Sequence, residues 1–233
     1  MLARIISLVI GYCFGLIQTG YLYGKIKGID IRSVGSGNAG TTNMLRTLGP
    51  KAGLITLLCD AFKTVFAILV TWIIFHGRYP EYVSLLELYA AAGVILGHDF
   101  PFYMNFKGGK GIAATAGLII GLHDPIILLS ELVIFFGIFF TTHYVSLGSL
   151  AIYLGLVVES VIMGMIGYGK FAVMPANCKI EFYVILLLLM ILAYWQHRSN
   201  IVRLLSGKER RTFISKEKNA AEAERYKKMM ENS

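Results

Sequence analysis

The sequence predicts an all-α fold, a bundle of helices that crosses a membrane about seven times. Its 233 residues are 56% apolar and only 15% charged, and the mean hydropathy is +0.64. A soluble domain has about 25% charged residues, and a fold of this size could not bury so much apolar surface. The apolar residues also form long uncharged runs. The first of these, 5–24, is long enough to cross the hydrocarbon core of a bilayer.

Uncharged or nearly uncharged runs locate the crossings. We expect them at 5–24, 64–77, 84–98, 111–123, 125–142, 145–167 and 180–197. The second run belongs to a longer helix, Leu54 to Gly77, and His123-Asp124-Pro125 predicts a tight turn. Several runs are shorter than the ~20 residues of a perpendicular helix, so merging or demoting them gives five crossings. No cleavage site for a signal peptide follows the first run, which we therefore expect to be retained.

Basic residues predict which end of the bundle faces the cytosol. Of the 22 Lys and Arg residues, 18 are assigned to one side, and the exceptions are Arg4, Arg78, Lys170 and Lys179. Because cytosolic loops carry the excess of basic residues, the N-terminus is expected outside and the C-terminus in the cytosol. We expect residues 1–206 to form the membrane domain and residues 207–233 a charged cytosolic tail with a helix-prone sequence.

The composition excludes several classes of protein. Three scattered cysteines cannot form a disulfide framework, and no Cys/His cluster offers a zinc site, so neither metal nor cofactor is expected. The net charge of +8 lies in short segments between apolar runs, which excludes nucleic acid as the expected partner. The lipid bilayer is the expected partner. A monomer is favoured, with the oligomeric state left open.

The first of three polar segments, 34–46, reads VGSGNAGTTNMLR. Its glycines permit positive φ angles and a close approach of the backbone to a ligand. Ser36 and Asn38 supply hydrogen-bonding groups, as do Thr41, Thr42 and Asn43. Arg46 adds a guanidinium suited to bidentate contact with phosphate. A flexible, solvated loop is the alternative, but such loops rarely combine glycine, small hydroxyls and amides beside an apolar helix.

The second polar segment, 97–111, ends in Lys-Gly-Gly-Lys-Gly just before an apolar, alanine-rich stretch. A helix N-terminus offers free N–H groups and a positive dipole end, to which two lysines add charge. We therefore predict a phosphate site made of Lys107, Gly108, Gly109, Lys110 and Gly111. The GxxxxGK[ST] pattern is absent, so nucleotide hydrolysis is not implied. A basic loop that only sets the topology is the alternative.

The third polar segment, 195–209, lies where the last crossing leaves the membrane. His197 and Asn200 are three residues apart, so on a helix they face the same side. We expect both to point at a ligand from the cytosolic mouth of the bundle. A single interfacial histidine is the alternative.

Together these segments resemble the signatures of the membrane-integral PlsY family, the bacterial acyl-phosphate:glycerol-3-phosphate acyltransferases. The family's first motif is similar to GSGNxGxTNxxR, matched by 35–46, and its second to GHxFPxFxxFKGGKGVAT, matched with modest departures by 97–115. The third, HRxNIxRLLxGxE, matches 197–209 at every fixed position. Ala39 stands where many members carry proline, and Thr115 lies one residue later than usual.

The resemblance implies a reaction. Such enzymes transfer a fatty acyl group from acyl-phosphate to the 1-hydroxyl of glycerol 3-phosphate, giving lysophosphatidic acid and inorganic phosphate. This is the first committed step of phospholipid synthesis and takes place at the bacterial plasma membrane. Apolar helices below a basic face suit an acyl chain and two phosphate groups. A phosphate or organic-anion transporter is the alternative from another class, but its site should lie near the bilayer midplane.

The resemblance also implies roles for individual residues. Catalysis is expected of Ser36, Arg46, His197 and Asn200. Substrate binding is expected of Asn38, Lys107, Gly108, Gly109, Lys110, Gly111, Ser146 and Ser149. Glu209 is expected to be structural, through pairing with nearby arginines. For the two serines, N-capping of the sixth crossing is the alternative.

Two questions stay open at the level of sequence. Asp60 and Lys63 are interpreted as an internal structural pair near the cytosolic side, although a charge inside a crossing also suggests function. The mechanism is expected to be direct attack by the glycerol hydroxyl, with His197 or a substrate phosphate taking the proton. A covalent acyl-Ser36 intermediate is the alternative, and His98 is a candidate to line the anion loop.

Overall fold

The computed structural model describes residues 1–231, which are helical throughout apart from loops and two short 3-10 turns at 31–33 and 102–104. These residues contain no strand, in agreement with the predicted all-α class. The helices are α1 (Leu2–Gly15), α2 (Thr19–Ile26), α3 (Thr41–Leu48), α4 (Pro50–Phe75), α5 (Val83–Asp99), α6 (Ile112–Gly121), α7 (Pro125–Thr142), α8 (Val145–Ile166), α9 (Lys170–Val173), α10 (Ala176–Gln196), α11 (Arg198–Leu205) and α12 (Lys216–Glu231).

Within the described residues, six segments are long and apolar enough to cross a membrane. They are Leu2–Ile26, Pro50–Phe75, Val83–Met104, Pro125–Thr142, Val145–Ile166 and Ala176–Gln196. The remaining predicted crossing corresponds to α6, an apolar helix of only 10 residues. The chain is thus a multi-pass membrane protein, with six crossings by length and α6 as a shorter seventh element.

Contacts between connecting segments define two ends of the bundle. At one end, Arg46 contacts Thr212, whose N–H bonds to the carbonyl oxygen of His143 at 2.9 Å. At the other, Lys170 Nζ donates to the carbonyl oxygen of Leu122 at 2.6 Å. Helix α6 runs from the first end to the second. The basic segments that we predicted to share one face lie together at the end that contains Arg46 and Thr212. We call this the cytosolic end, following the positive-inside prediction.

The tightest contact in the bundle joins α1 to α5 through glycines. A Cβ atom on Gly11 would lie 1.9 Å from the carbonyl oxygen of Ala90, and one on Gly93 would lie 2.1 Å from that of Leu8. Small residues let two helix backbones approach closely, which is a common way for helices to associate within a membrane. Helix α1 therefore packs closely against α5, the element that leads into the second motif.

The predicted first crossing, 5–24, lies within the span Leu2–Ile26, and the chain breaks inside this span, between α1 and α2. A lysine of α4 binds a carbonyl group that the break frees, and a glutamine within the break donates to α5. Lys63 Nζ donates to the carbonyl oxygen of Ile17 at 2.7 Å, and Gln18 Nε2 donates to that of His98 at 3.0 Å. Freed backbone groups at membrane depth are tolerated where protein satisfies them in this way.

The turn predicted before α7 is confirmed. Asp124 caps the helix by accepting hydrogen bonds at Oδ1 from the N–H groups of Ile126 (3.0 Å) and Ile127 (3.2 Å). Pro125 occupies the first helical position, where its missing N–H is not needed. His123 takes a positive φ of 53°, which turns the chain out of α6.

Candidate active site

The loop of the second motif folds back on the end of α5. The N–H of Gly108 donates to the carbonyl oxygen of Asp99 and that of Gly109 to the carbonyl oxygen of His98, each at 3.0 Å. The expectation that the N–H groups of these two glycines are free for an anion is therefore wrong. They hold the loop in place, and the anion-binding groups must come from its neighbours.

The free donors lie at the start of α6. In this helix the first N–H bonded to a preceding carbonyl is that of Thr115, which reaches Gly111 at 2.8 Å. Residues 112–114 thus keep the unpaired N–H groups that every helix N-terminus carries. Together with the positive end of the helix dipole and the ammonium group of Lys110, they suit an anion such as phosphate.

The ring of His98 explains why position 109 is glycine. A Cβ atom at Gly109 would lie 2.0 Å from Nε2 of His98, so the loop and the ring can only coexist without a side chain there. On its other side, Nδ1 of His98 lies 2.9 Å from Nζ of Lys63. His98 is buried and sits between the loop and a polar network inside the bundle.

This network centres on Asp60 and Lys63 in α4. The two side chains are buried, with Nζ of Lys63 2.9 Å from Oδ1 of Asp60, and the hydroxyl of Thr19 donates to the same oxygen at 2.9 Å. The pair therefore touches the break between α1 and α2 on one side and His98 on the other. Through these contacts, α2, α4 and α5 together support the second-motif loop.

Lys110 connects the second motif to the third, where Asn200 and Glu209 are bonded to each other. Lys110 donates from Nζ to Oδ1 of Asn200, and Asn200 Nδ2 donates to Oε1 of Glu209 at 2.7 Å. The hydroxyl of Ser146 donates to the same Oε1 at 2.8 Å, and Arg203 Nε donates to Oε2 at 2.8 Å. The buried carboxylate of Glu209 thus accepts three hydrogen bonds, two from α11 and one from α8.

His197, between α10 and α11, is held as a neutral base. Its Nδ1 donates to the carbonyl oxygen of Ala193 at 2.8 Å, because a carbonyl can only accept, and this leaves Nε2 with a free lone pair. Burial, and then the charge of Lys110, lower the pKa of His197 to about 4. Burial and the charge of Arg203 likewise lower the pKa of Lys110 to about 8.

Asn43 organises the glycine-rich loop of the first motif. Its Nδ2 donates to the carbonyl oxygens of Ile31 (3.1 Å), Val34 (3.0 Å) and Asn38 (3.0 Å). Its Oδ1 accepts the N–H of Ser36 at 3.0 Å. The sequence indicated Asn43 only as one ligand-facing donor among several, whereas the structure buries it under the loop. Its position in a run of small polar residues gave no signal for this role.

Ser36 and Asn38, both in the first motif, differ in whether the side chain is hydrogen-bonded. Ser36 is exposed between Gly35 and Gly37, whose φ angles are 61° and 71°, and its hydroxyl has no hydrogen-bond partner among residues 1–231. The side chain of Asn38 is engaged locally, since its Oδ1 accepts the N–H of Gly40 at 2.9 Å. Neither side chain is hydrogen-bonded to His197 within the described chain.

Arg46, on α3, reaches the segment that follows the third motif. Its Nε and Nη2 donate to the hydroxyl of Thr212 at 3.0 and 2.5 Å, and Nη2 also donates to the carbonyl oxygen of Arg210 at 2.9 Å. Burial and the charge of Arg210 lower the pKa of Arg46 to about 10, so the guanidinium remains protonated at neutral pH. The contacts bring the first motif beside Glu209.

The remaining residues that the sequence analysis named differ in exposure: Lys107 is at the surface, whereas the serines of α8 and Thr115 are buried. Lys107 is exposed, and its ammonium group has no hydrogen-bond partner in the described chain. Ser149 is buried, and its hydroxyl donates to the carbonyl oxygen of Val145 in its own helix at 2.8 Å. N-capping by Ser146 or Ser149 is wrong, because Tyr144 is the N-cap residue of α8. Thr115 is buried and binds the hydroxyl of Tyr153 at 2.5 Å.

Asp99 is a residue of the site to which the sequence analysis assigned no role. The side chain is buried beside the second-motif loop, where Gln196 Nε2 donates to its Oδ2 at 3.3 Å. Its Oδ1 has no hydrogen-bond partner among the described residues. The position of Asp99 between His98 and the lysine-glycine loop was the signal that could have identified it.

An apolar groove of about 360 Å³ lies between α1 and α5 near this end of the bundle. Its lining includes Leu8, Tyr12, Leu96, Phe100 and Phe106. Phe106 has a positive φ of 57° and directly precedes Lys107 in the chain, so the groove adjoins the second-motif loop. No three His, Cys, Asp or Glu side chains within residues 1–231 are grouped so as to hold a metal ion.

Comparison with known proteins places this site in a family. The sequence model of a family described as glycerol-3-phosphate acyltransferase matches residues 5–207. The chain is 41% identical to glycerol-3-phosphate acyltransferase 2 of Thermotoga maritima over 210 residues, which are 89% of this chain and 96% of the relative. It is 40% identical to glycerol-3-phosphate acyltransferase of Clostridioides difficile over 215 residues, covering 91% and 97% of the two chains.

Two crystal structures of PlsY, an integral membrane glycerol 3-phosphate acyltransferase, have the same fold. The glycerol 3-phosphate form aligns with a TM-score of 0.74 at 30% identity, covering 90% of this chain and 96% of that chain. The lysophosphatidic acid form aligns with a TM-score of 0.73 at 28% identity, covering 91% and 96%. The chain therefore belongs to the glycerol-3-phosphate acyltransferase family of multi-pass membrane proteins that includes PlsY.

Proposed function

We propose that the protein transfers a fatty acyl group from acyl-phosphate to the 1-hydroxyl of sn-glycerol 3-phosphate. The products are 1-acyl-sn-glycerol 3-phosphate and inorganic phosphate. The observation that carries the proposal is the chain of contacts from Lys110 through Asn200 to Glu209, which assembles an anion site beside a neutral histidine. The related PlsY structures in glycerol 3-phosphate and lysophosphatidic acid forms support acceptor and product of this kind.

The phosphate of glycerol 3-phosphate would bind at the start of α6. Lys110 and the N–H groups of residues 112–114 supply positive charge and hydrogen bonds, and exposed Lys107 adds a second ammonium at the entrance. Arg46 would bind a phosphate from the side of the first motif. Separate cationic groups for the two substrates are appropriate, because each substrate carries a phosphate.

In the chemical step, the 1-hydroxyl oxygen attacks the carbonyl carbon of the acyl-phosphate. A new ester C–O bond forms, the bond between the carbonyl carbon and the phosphate oxygen breaks, and phosphate leaves with the electron pair. The hydroxyl proton passes to Nε2 of His197 or to a substrate phosphate. Acyl-phosphate is an activated anhydride, so positioning and charge stabilisation supply most of the rate and a base with a pKa of about 4 suffices.

The acyl chain of the donor would lie in the apolar groove between α1 and α5. The lining of the groove is apolar and includes Phe106, which is next to Lys107 in the chain. A phosphate held by the loop would thus leave its acyl chain among apolar side chains.

The basic cytosolic end and the bacterial relatives favour a location in a bacterial plasma membrane, with the monomer as the working unit.

Direct attack is favoured over a covalent acyl-Ser36 intermediate. A nucleophilic serine needs a base within hydrogen-bond reach, and the Ser36 hydroxyl has no such partner among the described residues. Rapid quenching of the purified protein with donor alone, followed by mass spectrometry of the Ser36 peptide, tests this. An acylated Ser36 that forms and decays at the rate of turnover would establish the covalent route instead.

The activity itself is tested with purified protein in detergent or vesicles. Palmitoyl-phosphate and glycerol 3-phosphate are mixed with the protein, and phosphate release and lysophosphatidic acid are measured, with palmitoyl-CoA tested in parallel. We expect turnover with the phosphate donor and little with the thioester, and Arg46→Ala to abolish turnover while the protein stays folded. Equal turnover with the thioester, or no product from acyl-phosphate, would refute the proposed donor.

A further inference from the structure

The segment that follows the third motif binds one edge of the Arg46 guanidinium. Thr212 Oγ1 accepts from Nε at 3.0 Å and from Nη2 at 2.5 Å, and the carbonyl oxygen of Arg210 accepts from Nη2 at 2.9 Å. These bonds use the N–H of Nε and both hydrogens of Nη2. Nη1 keeps two N–H groups without a hydrogen-bond partner in the described chain.

Residues 210–213, which we call the strap, are fixed where they pass Arg46. The N–H of Thr212 donates to the carbonyl oxygen of His143, at the end of α7, at 2.9 Å. The ring of Phe213 contacts that of His143, with centroids 4.6 Å apart. Thr212 is fully buried, so its hydroxyl is held against the guanidinium rather than free in solvent.

Helix α12 holds the strap from the opposite side. Asn219 clamps the backbone of Phe213, accepting its N–H at Oδ1 (2.9 Å) and donating from Nδ2 to its carbonyl oxygen (2.5 Å). Glu222 accepts the N–H of Arg211 at 3.1 Å. Both α12 side chains are buried, although the sequence of this region looks like an ordinary charged helix. The packing of α12 is therefore what gives the strap its conformation.

The surroundings of Arg46 favour an anion at the free edge. Arg203 and Arg210 repel the guanidinium, whereas Glu209 and Glu222 attract it from a distance, and Arg46 forms no ion pair with a carboxylate among residues 1–231. A half-buried guanidinium without a direct ion-pair partner gains most from a phosphate that approaches its open side. The family model matches residues 5–207, so Thr212 and α12 lie outside the matched residues.

We propose that Thr212 is a positioning residue for Arg46: the strap holds the Nε and Nη2 edge and directs Nη1 at a substrate phosphate. This inference rests on the proposed function, in which Arg46 binds phosphate. An arginine side chain has many rotamers, and ordering it before the substrate arrives removes that entropic cost from binding. The C-terminal tail thereby takes part in substrate binding without touching the substrate.

The test compares Thr212→Val, which loses the hydroxyl at nearly constant volume, with Thr212→Ser, which keeps it. We expect the valine variant to lower kcat/KM for glycerol 3-phosphate roughly 10- to 100-fold, the equivalent of a hydrogen bond to a charged group. The serine variant should retain activity within about threefold of the wild type. Thr141→Val is the matched control, because Thr141 is exposed at the same end and donates only to carbonyl groups of its own helix.

A second background shows whether Thr212 acts through Arg46. Arg46→Lys keeps the charge but removes the Nε and Nη2 donors, so Thr212→Val should cause no further loss there. The cycle is read both as activity and as the rise in Tm on adding glycerol 3-phosphate, which needs no turnover. Asn219→Ala loosens the strap without altering Thr212 and should lower kcat/KM in the same direction, even if the valine variant fails to fold.

The outcomes separate this inference from the proposed function. An inactive wild type refutes the proposed function. The rise in Tm on adding glycerol 3-phosphate still shows whether Thr212 affects ligand binding through Arg46. An active wild type with an equally active Thr212→Val overturns the inference. Equal losses in the valine and serine variants also overturn it, as does an undiminished effect of Thr212→Val in the Arg46→Lys background, because the hydroxyl would then not act on the guanidinium.

Discussion

Lys110 donates a hydrogen bond from Nζ to Oδ1 of Asn200, which joins the second polar segment directly to the third. The two residues are far apart in sequence, at the start of α6 and in α11. Burial, together with neighbouring arginine charge, lowers the pKa of Lys110 to about 8. The ammonium group therefore loses its proton within a pH range that an enzyme assay can reach.

Activity should fall as the pH rises through about 8, where Lys110 loses its charge. The direction of this change follows from the pKa of Lys110: below about 8 the side chain is a cation that can bind phosphate, and above it the side chain is neutral. Lys110→Arg should move this decline to higher pH, because a guanidinium keeps its proton throughout. The measurement is kcat/KM for glycerol 3-phosphate from pH 6 to 10. An identical decline in the arginine variant would show that another group titrates.

Gly109→Ala should disable the second-motif loop. The new Cβ atom would lie 2.0 Å from Nε2 of His98, so either the loop or the ring must move. We expect kcat/KM to fall at least 10-fold, with a higher KM for glycerol 3-phosphate, because Lys110 moves with the loop. Gly137→Ala is the matched control, since a Cβ atom at Gly137 has no neighbour within 4 Å. Equal activity of the two variants would contradict a tight loop.

Glu209→Ala should lower both stability and activity. Removing the carboxylate leaves the donors of Asn200, Ser146 and Arg203 without their shared acceptor. The expected loss of stability is about 1–3 kcal/mol, seen as a lower Tm in detergent. Glu224→Ala, at an exposed position of α12, serves as the control and should change little. A wild-type Tm for Glu209→Ala would mean that water replaces the carboxylate.

Asp60 and Lys63 should behave as a coupled pair. Lys63→Met alone leaves a buried carboxylate without its cation, at a cost of about 3–5 kcal/mol, and Asp60→Asn alone leaves the cation without its partner. The double variant should be less destabilised than the sum of the two single variants. Unfolding in mixed SDS and mild detergent gives the coupling energy. Additive losses would show that each residue acts independently, through its contacts with the break after α1.

Charge and hydropathy were sufficient to predict most of the fold, because every segment that crosses a membrane must be apolar and nearly uncharged. Uncharged runs gave the crossings, and Asp124-Pro125 gave the helix cap that the structure contains. The break between α1 and α2 could not be predicted in this way. It depends on Lys63 and Gln18 reaching carbonyl groups only after the helices have packed.

The composition of the candidate site was visible in the sequence, but its connections were not. The motifs pointed to Lys110, His197 and Asn200, and the structure brings these residues to one end of the bundle. The bond from Arg46 to Thr212 joins residues 166 positions apart, and no local pattern indicates it. The occupied N–H groups of the second-motif loop likewise depend on the fold-back of the chain onto the end of α5.

The shortness of α6 has a consequence for the route by which the donor arrives. Its 10 residues span about 15 Å, roughly half the thickness of the hydrocarbon core. Its far end lies beside Lys170, at the end of the bundle opposite Arg46, so we expect its first turn to lie below the level of the cytosolic lipid headgroups. Under the proposed function, a donor dissolved in the cytosolic leaflet would enter the site laterally, with its acyl chain still in lipid. The water-soluble acceptor would enter the same site from the cytosol.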